Sequence, residues 1–228
     1  FVERLKSLVS EGRVGDIKAV WMRHFVGMGG IFYFHDWHAQ KKNATSLMLQ
    51  KSSHDIDVLH HVTGRYTRRV AAFGGLDHFG GDAPNDLRCH ACPKRETCIE
   101  FSDYSPDTPR PNHDYCVWRD AVDIPDNYVA MLDLDGGIKA TYMACHFCPD
   151  QNRNYTFIGT SGRVENTDEK TVEVRLRKRL PTAPYEVAET FDCSPPEDGH
   201  GGADPRIAQA FVDAILDDVD VSETLLGA

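Results

Sequence analysis

Ser52–Gly64 reads SSHDIDVLHHVTG, and the reading of this stretch decides the fold. It belongs to a run free of Pro and Gly that starts after Thr45 or Ser46, either of which can cap a helix, and is closed by Gly64. Leu49, Ile56, Leu59 and Val62 supply an apolar stripe, while Lys51, His54, Asp57 and His61 recur three or four residues apart on a neighbouring face. The spacing therefore predicts a helix that buries one side against a larger layer and displays titratable groups on another.

Working outward from this helix, the layer is a sheet. Upstream, residues 16–27 are rich in Val, Ile, Trp and Phe and read as a strand, preceded by an opening helix with Phe1, Val2, Leu5, Leu8 and Val9. Between strand and helix, 29–38 is a Gly and aromatic stretch with no steady period, which reads as a loop near a ligand or a partner surface. Downstream, 66–74 is a strand, and 127–134 and 138–146 form a hairpin about Asp135, Gly136 and Gly137. Residues 155–158 and 163–166 flank a turn, and 171–178 alternates as a half-exposed strand, a pattern that suits a sheet edge. A last helix carries Asp204 as cap, Pro205 in its first position, and Ile207, Phe211 and Ile215 at four-residue spacing. Runs of strands with few helices predict an α+β fold: an open, mostly antiparallel β-sheet backed by helices on one face. Residues 75–123 interrupt it with a Cys-rich loop insertion that has no periodic pattern.

Composition narrows the function classes. The 228 residues are 41% hydrophobic and 26% charged, the proportions of a soluble globular domain. A formal net charge of −10 repels phosphate backbones and anionic lipid, so neither nucleic acid nor membrane is an expected partner. Seven cysteines, an odd number unevenly spread, fit a reducing cytoplasmic compartment better than a disulfide scaffold. Four of them, Cys89, Cys92, Cys98 and Cys116, are the number a tetrahedral structural Zn²⁺ needs, and they lie in the insertion that lacks a visible core. Free thiols or a disulfide are the alternatives there. Cys145 and Cys148 are read as core or surface thiols, because strand alternation would send them to opposite faces. The chain opens at Phe1 without an initiator Met and stops soon after an acidic turn, so it is expected to be a piece of a longer polypeptide.

The helix carries the chemistry. A histidine with a lysine three residues before it and a carboxylate three after it can titrate near neutrality and serve as general acid or base; a polar helix face with local ion pairs is the alternative. Tyr33, His35, Trp37 and His38 could line a carbohydrate pocket by stacking, or be buried in a subunit contact. His200, with Gly201 and Gly202, precedes a helix N-terminus that favours anionic or hydroxyl-rich ligands.

The order of strand, aromatic loop, SSHDIDVLHHVTG helix, strand, DGG hairpin, FIGTSGRVE turn and HGGADPRIAQAFVDAI helix resembles the C-terminal domain of the Gfo/Idh/MocA oxidoreductases, from about Gly15 to Ile215. The resemblance implies that residues 1–228 are the substrate-binding and oligomerisation half of an NAD(P)-dependent enzyme acting on a sugar, cyclitol or related polyol. An N-terminal Rossmann domain that holds NAD or NADP is then absent from the chain. GMGG at 27–30 lacks the dinucleotide spacing, so no cofactor-binding residue is expected here, and the fragment alone is expected to be inactive. His54 matches the family's catalytic histidine, with Lys51 beside it; Asp57, His200, Tyr33 and Trp37 would contact substrate. Where the family commonly has an aspartate four residues before the histidine, this chain has Gln50. Self-association through the open sheet face is implied, making a homo-oligomer. Two alternatives stay open: a noncatalytic zinc-stabilised assembly domain, and half of an NAD-dependent glycoside-cleaving enzyme.

Overall fold

A computed structural model of the protein describes residues 1–103, 113–178, 187–195 and 199–217. Eight strands form one sheet in the order β2-β3-β4-β1-β5-β6-β7-β8. They are β1 (Ile17–Phe25), β2 (Thr67–Gly75), β3 (Asn127–Leu134), β4 (Lys139–Cys145), β5 (Asn152–Gly159), β6 (Gly162–Asn166), β7 (Thr171–Leu176) and β8 (Glu189–Asp192). Every neighbouring pair is antiparallel except β1 with β4, which run parallel because the insertion and the β2–β3–β4 meander return the chain to the edge of β1. This is the expected α+β sheet, open and mostly antiparallel.

Alternation assigns the two faces. Val20, Met22, Tyr128, Ala130, Leu132, Ala140, Tyr142, Tyr155, Phe157, Val164, Val172 and Val174 are buried. Helices α1 (Val2–Ser10) and α3 (Ser53–Thr63) pack against one another over this core through Leu5, Leu8, Leu59 and Val62. The opposite face carries Phe73, Val129 and Met143 in one cross-strand row, and Met131, Thr141 and Trp21 in the next. Its apolar members are exposed, Phe73 by 74% and Met131 by 60%.

Several expectations are corrected. A π-helical turn, Met48–Ser52, precedes α3 and inserts an extra residue into the helical period, so Leu49 turns out to solvent at 63% exposure instead of joining the core. The inward stripe is Ser52, Asp55, Leu59 and Val62. Gly64 does stop α3, in the left-handed conformation that suits glycine. Residues 29–38 are not an irregular loop: they form a π-helical turn, Gly30–Phe34, and the start of a 3-10 turn, Trp37–Ala39, with Phe34, His35 and Asp36 buried and Phe32 and Trp37 exposed. The edge strand on that side of the sheet is β8, not β7. The short α2 (Lys41–Ala44) leads toward α3. Helix α4 (Gly199–Leu216) has left-handed backbone at His200, Gly201 and Gly202, and Asp204 pairs with His200 there.

The insertion packs into the main core rather than standing apart from it. Phe79, Val117, Val122 and Ile124 are buried in the main cluster, and Phe79 stacks on Phe34 with ring centres 4.0 Å apart. Arg119 donates to the carbonyls of Phe34, Cys116 and Asp36, which ties the insertion to the aromatic turn. Residues 104–112 of the insertion and the chain end at 218–228 lie outside the described residues.

Candidate functional site

The inward side of α3 is organised by one carboxylate. Asp55 is fully buried and its Oδ2 lies 3.0 Å from Nδ1 of His24 on β1 and 2.7 Å from the hydroxyl of Tyr142 on β4. Its Oδ1 accepts from the hydroxyl of Tyr155 on β5 at 2.5 Å and forms an ion pair with Nε of Arg153 at 3.2 Å. Proton bookkeeping fixes the direction of each bond. A carboxylate only accepts, so Tyr142 spends its single proton on Asp55, and Ser52, 2.8 Å from the Tyr142 oxygen, donates to it. Arg153 only donates, so His24 Nε2, 3.3 Å from its Nη2, accepts, which leaves the His24 proton on Nδ1 facing Asp55. Burial works to raise the Asp55 pKa, but the hydrogen bond and charge of His24, with Arg153 and Tyr155, overcome it and hold the carboxyl below its usual range. Burial and the Asp55 charge raise the pKa of both tyrosines, so both remain donors.

The outward side is the reverse. His54 is exposed and has no hydrogen bond or ion pair among the described residues; Asp57 is also exposed. The expected clamp of His54 between Lys51 and Asp57 is thus not formed among the described residues: His54 and Asp57 are exposed, and Lys51 turns to the Tyr33 ring. Lys51 is half-buried, with Nζ 5.7 Å from the centre of the Tyr33 ring, and has no acidic partner within ion-pair distance.

From Tyr33 a series of rings leads away from the helix. Tyr33 meets His146 edge-on at 5.4 Å and His38 at 5.5 Å, and His38 stacks on Trp37 at 3.7 Å. Asp36 fixes His38 through its Oδ1, 2.7 Å from Nδ1. His146 is buried with Nδ1 2.9 Å from the Asp126 carbonyl, so Nδ1 donates and Nε2, which has no partner, is a bare acceptor. Burial takes its pKa down to about 4, and it takes the Tyr33 hydroxyl up to about 12. The turn carrying these rings approaches β4 so closely that a side chain at Gly29 would collide with the His146 carbonyl. The glycines of 27–30 therefore serve backbone packing, and the described residues there form no strand, glycine loop and helix of the kind that cradles a pyrophosphate.

Of the six residues expected at the site, Lys51, Tyr33 and Trp37 are joined through ring contacts, and His54 and Asp57 share their helix face. His200 is exposed and bonded to Asp204, with no recorded contact to the others. Asp55, His24, Tyr142, Arg153 and Tyr155 escaped the sequence reading. A signal existed: His24 and Tyr142 fall on the inward parity of strands otherwise filled by Val, Met and Ala, and buried polar tips require a buried partner.

The zinc expectation finds no support in the described residues. Cys89, Cys92, Cys98 and Cys116 line one cavity of about 480 Å³, but among the described residues no group of three or more His, Cys, Asp or Glu side chains could hold a metal ion. Burial first, then the neighbouring cysteines, pushes the Cys89 thiol up to about 11 and raises Cys116. His35 spans the same region, its two ring nitrogens 2.6 and 2.7 Å from the carbonyls of Tyr115 and Glu100. Cys145 and Cys148, expected on opposite faces, hydrogen-bond to each other because β4 ends at Cys145 and alternation no longer applies.

Comparison with known proteins agrees with this architecture. Residues 2–165 match the family model of the GFO/IDH/MocA C-terminal domain. YteT of Bacillus subtilis (strain 168), a protein named as an oxidoreductase, is 25% identical over 246 aligned positions, which cover 92% of this chain and 56% of that protein. Levoglucosan dehydrogenase in complex with NADH and levoglucosan superposes with a TM-score of 0.60 at 17% identity, covering 92% of this chain and 52% of that one. A super-repressor mutant of Gal80p from Saccharomyces cerevisiae superposes at 0.61 and 17% identity, covering 97% and 50%. At such identities the solved structures establish the fold alone. The chain spans about half the length of the relatives it matches. No helix among the described residues is long and apolar enough to cross a membrane.

Proposed function

The chain belongs to the GFO/IDH/MocA family, as its C-terminal domain, and on that premise we propose that it is the substrate-binding and oligomerisation half of an NAD(P)-dependent oxidoreductase for a sugar, cyclitol or related polyol. One observation carries this reading. A single helix holds an anchored carboxylate, Asp55, on its inner face, and a free imidazole, His54, with an acid-free ammonium, Lys51, on its outer side. His54 takes the proton of the substrate hydroxyl. Lys51, held over the buried Tyr33 ring, orients that hydroxyl, Trp37 offers its exposed ring face to a part of the substrate further from His54, and Asp57 and His200 complete the contacts from either side. In this reading NAD or NADP is held by the part of the relatives that this chain does not span. The bare apolar face of the sheet, with Phe73, Met131 and Trp21, is covered by a second copy of the protein.

The test is cofactor reduction by the full-length protein against a panel of neutral sugars, cyclitols and sugar acids, followed by nicotinamide absorbance. We expect turnover with at least one neutral polyol and sedimentation as an oligomer at tens of micromolar. The absence of reduction with every member and with both nucleotides would contradict the enzymatic reading. A monomer would contradict the oligomeric one.

A further inference from the structure

We propose a second carbohydrate subsite beside Trp37, separate from the His54 face, which takes the outer unit of a neutral glycoside. It deepens the carbohydrate reading above and rests on it only for the sugar placed at His54. The observation is a cavity of about 290 Å³ walled by Asp36, Trp37, Gln40, Asn43, Asn85 and Arg119. Its size is at the lower end for small-ligand sites, suited to one pyranose ring and too small for a nucleotide.

The lining specifies the ligand. His38 stacks on one face of the Trp37 ring, and the ring keeps 47% exposure, so its other face is open to the C–H face of a sugar. Asn43 uses its Nδ2 on the Trp37 carbonyl and on Oε1 of Gln40, and Asn85 uses its Oδ1 on the Ala121 amide. Two donors, Nε2 of Gln40 and Nδ2 of Asn85, and one acceptor, Oδ1 of Asn43, are left without partners among the described residues. Hydroxyls both donate and accept, so they match this mixed set; a carboxylate or phosphate does not. The charged groups in the wall are held by other protein groups: Arg119 donates to three carbonyls, and Asp36 lies 2.7 Å from His38 through Oδ1 and 3.3 Å from Nε2 of His113 through Oδ2.

Position supplies the rest. The contacts Lys51 to Tyr33, Tyr33 to His38 and His38 to Trp37, at 5.7, 5.5 and 3.7 Å, link the helix to the cavity wall through packed side chains, of which Tyr33 is buried. In the proposal a substrate of two or three linked sugar units passes over this packed row, with the reacting unit at His54 and the outer one on Trp37.

The experiment is an array of neutral and acidic oligosaccharides probed with the full-length protein and with Trp37→Ala and Gln40→Ala, each first shown by circular dichroism to be folded. We expect binding to neutral oligosaccharides that falls at least tenfold in both variants. Binding to none of the neutral glycans, preference for acidic ones, or wild-type binding by the variants would overturn the subsite. Array binding needs no hydride transfer, so the two readings fail separately. Oxidation of sugars without Trp37-dependent binding removes the subsite alone, and Trp37-dependent binding without cofactor reduction removes the dehydrogenase reading alone.

Discussion

Asp55 and His54 are neighbours in sequence and opposites in structure. Asp55 points into the sheet and meets four side chains from three strands; His54 points away and meets none. The difference teaches how the helix divides its work. A buried carboxylate is tolerated only when its partners replace the lost water, so the inner side is fully specified and rigid. On the outer side His61 meets Glu3 and Lys6 of α1 and Lys51 meets Tyr33, while His54, with no hydrogen bond or ion pair among the described residues, stays available to a ligand.

The largest effect should come from breaking the inner side. Asp55→Ala strands Arg153 and His24 and leaves two tyrosine hydroxyls without their acceptor, which should cost about 3–5 kcal/mol in denaturant unfolding. A loss below about 1 kcal/mol would mean that Asp55 is not a hub. Acid sharpens the same point. The folded pKa of Asp55 is depressed, so its contribution is present above the unfolded value of about 3.9 and is lost as pH falls through that range toward the folded one. Wild-type stability should therefore decline on acidification below about pH 4, and Asp55→Asn, already lacking that contribution, should decline less steeply. Tyr142→Phe is the small case. Asp55 keeps Tyr155, His24 and Arg153, and the expected loss is about 1–2 kcal/mol.

The same contrast explains what the sequence made legible. Strand β3 alternates Tyr128, Ala130 and Leu132 with exposed Val129 and Met131 and ends in a DGG turn, so periodicity and turn chemistry both named it. Strand β5 was read too short because it starts Asn152, Arg153, Asn154, residues that look like a loop. There Arg153 serves Asp55, and Asn154 is buried against Asn166. Strand β8, four residues with two acidic ends, gave no pattern at all. Leu49 was misplaced because one π-helical turn changes the period that the stripe assumed. At the site, the outward group was visible because its members lie within one helix. The hub was not, since its hydrogen bonds join residues 31, 87 and 100 positions apart, distances that only the sheet order closes. In the insertion the four cysteines are the visible pattern, while Phe79, Val117 and Arg119, which tie it to the main core and the aromatic turn, carry no spacing signature.

The central claim is that the outer side of α3 is catalytic and the inner side structural, and kinetics with stability on one variant tests it most directly. His54→Ala in the full-length enzyme should lower turnover by roughly 10²- to 10⁴-fold, the range for losing a positioned base, while its unfolding midpoint stays within experimental error of wild type. A raised Michaelis constant with unchanged turnover, or a stability loss like that of Asp55→Ala, would contradict the account.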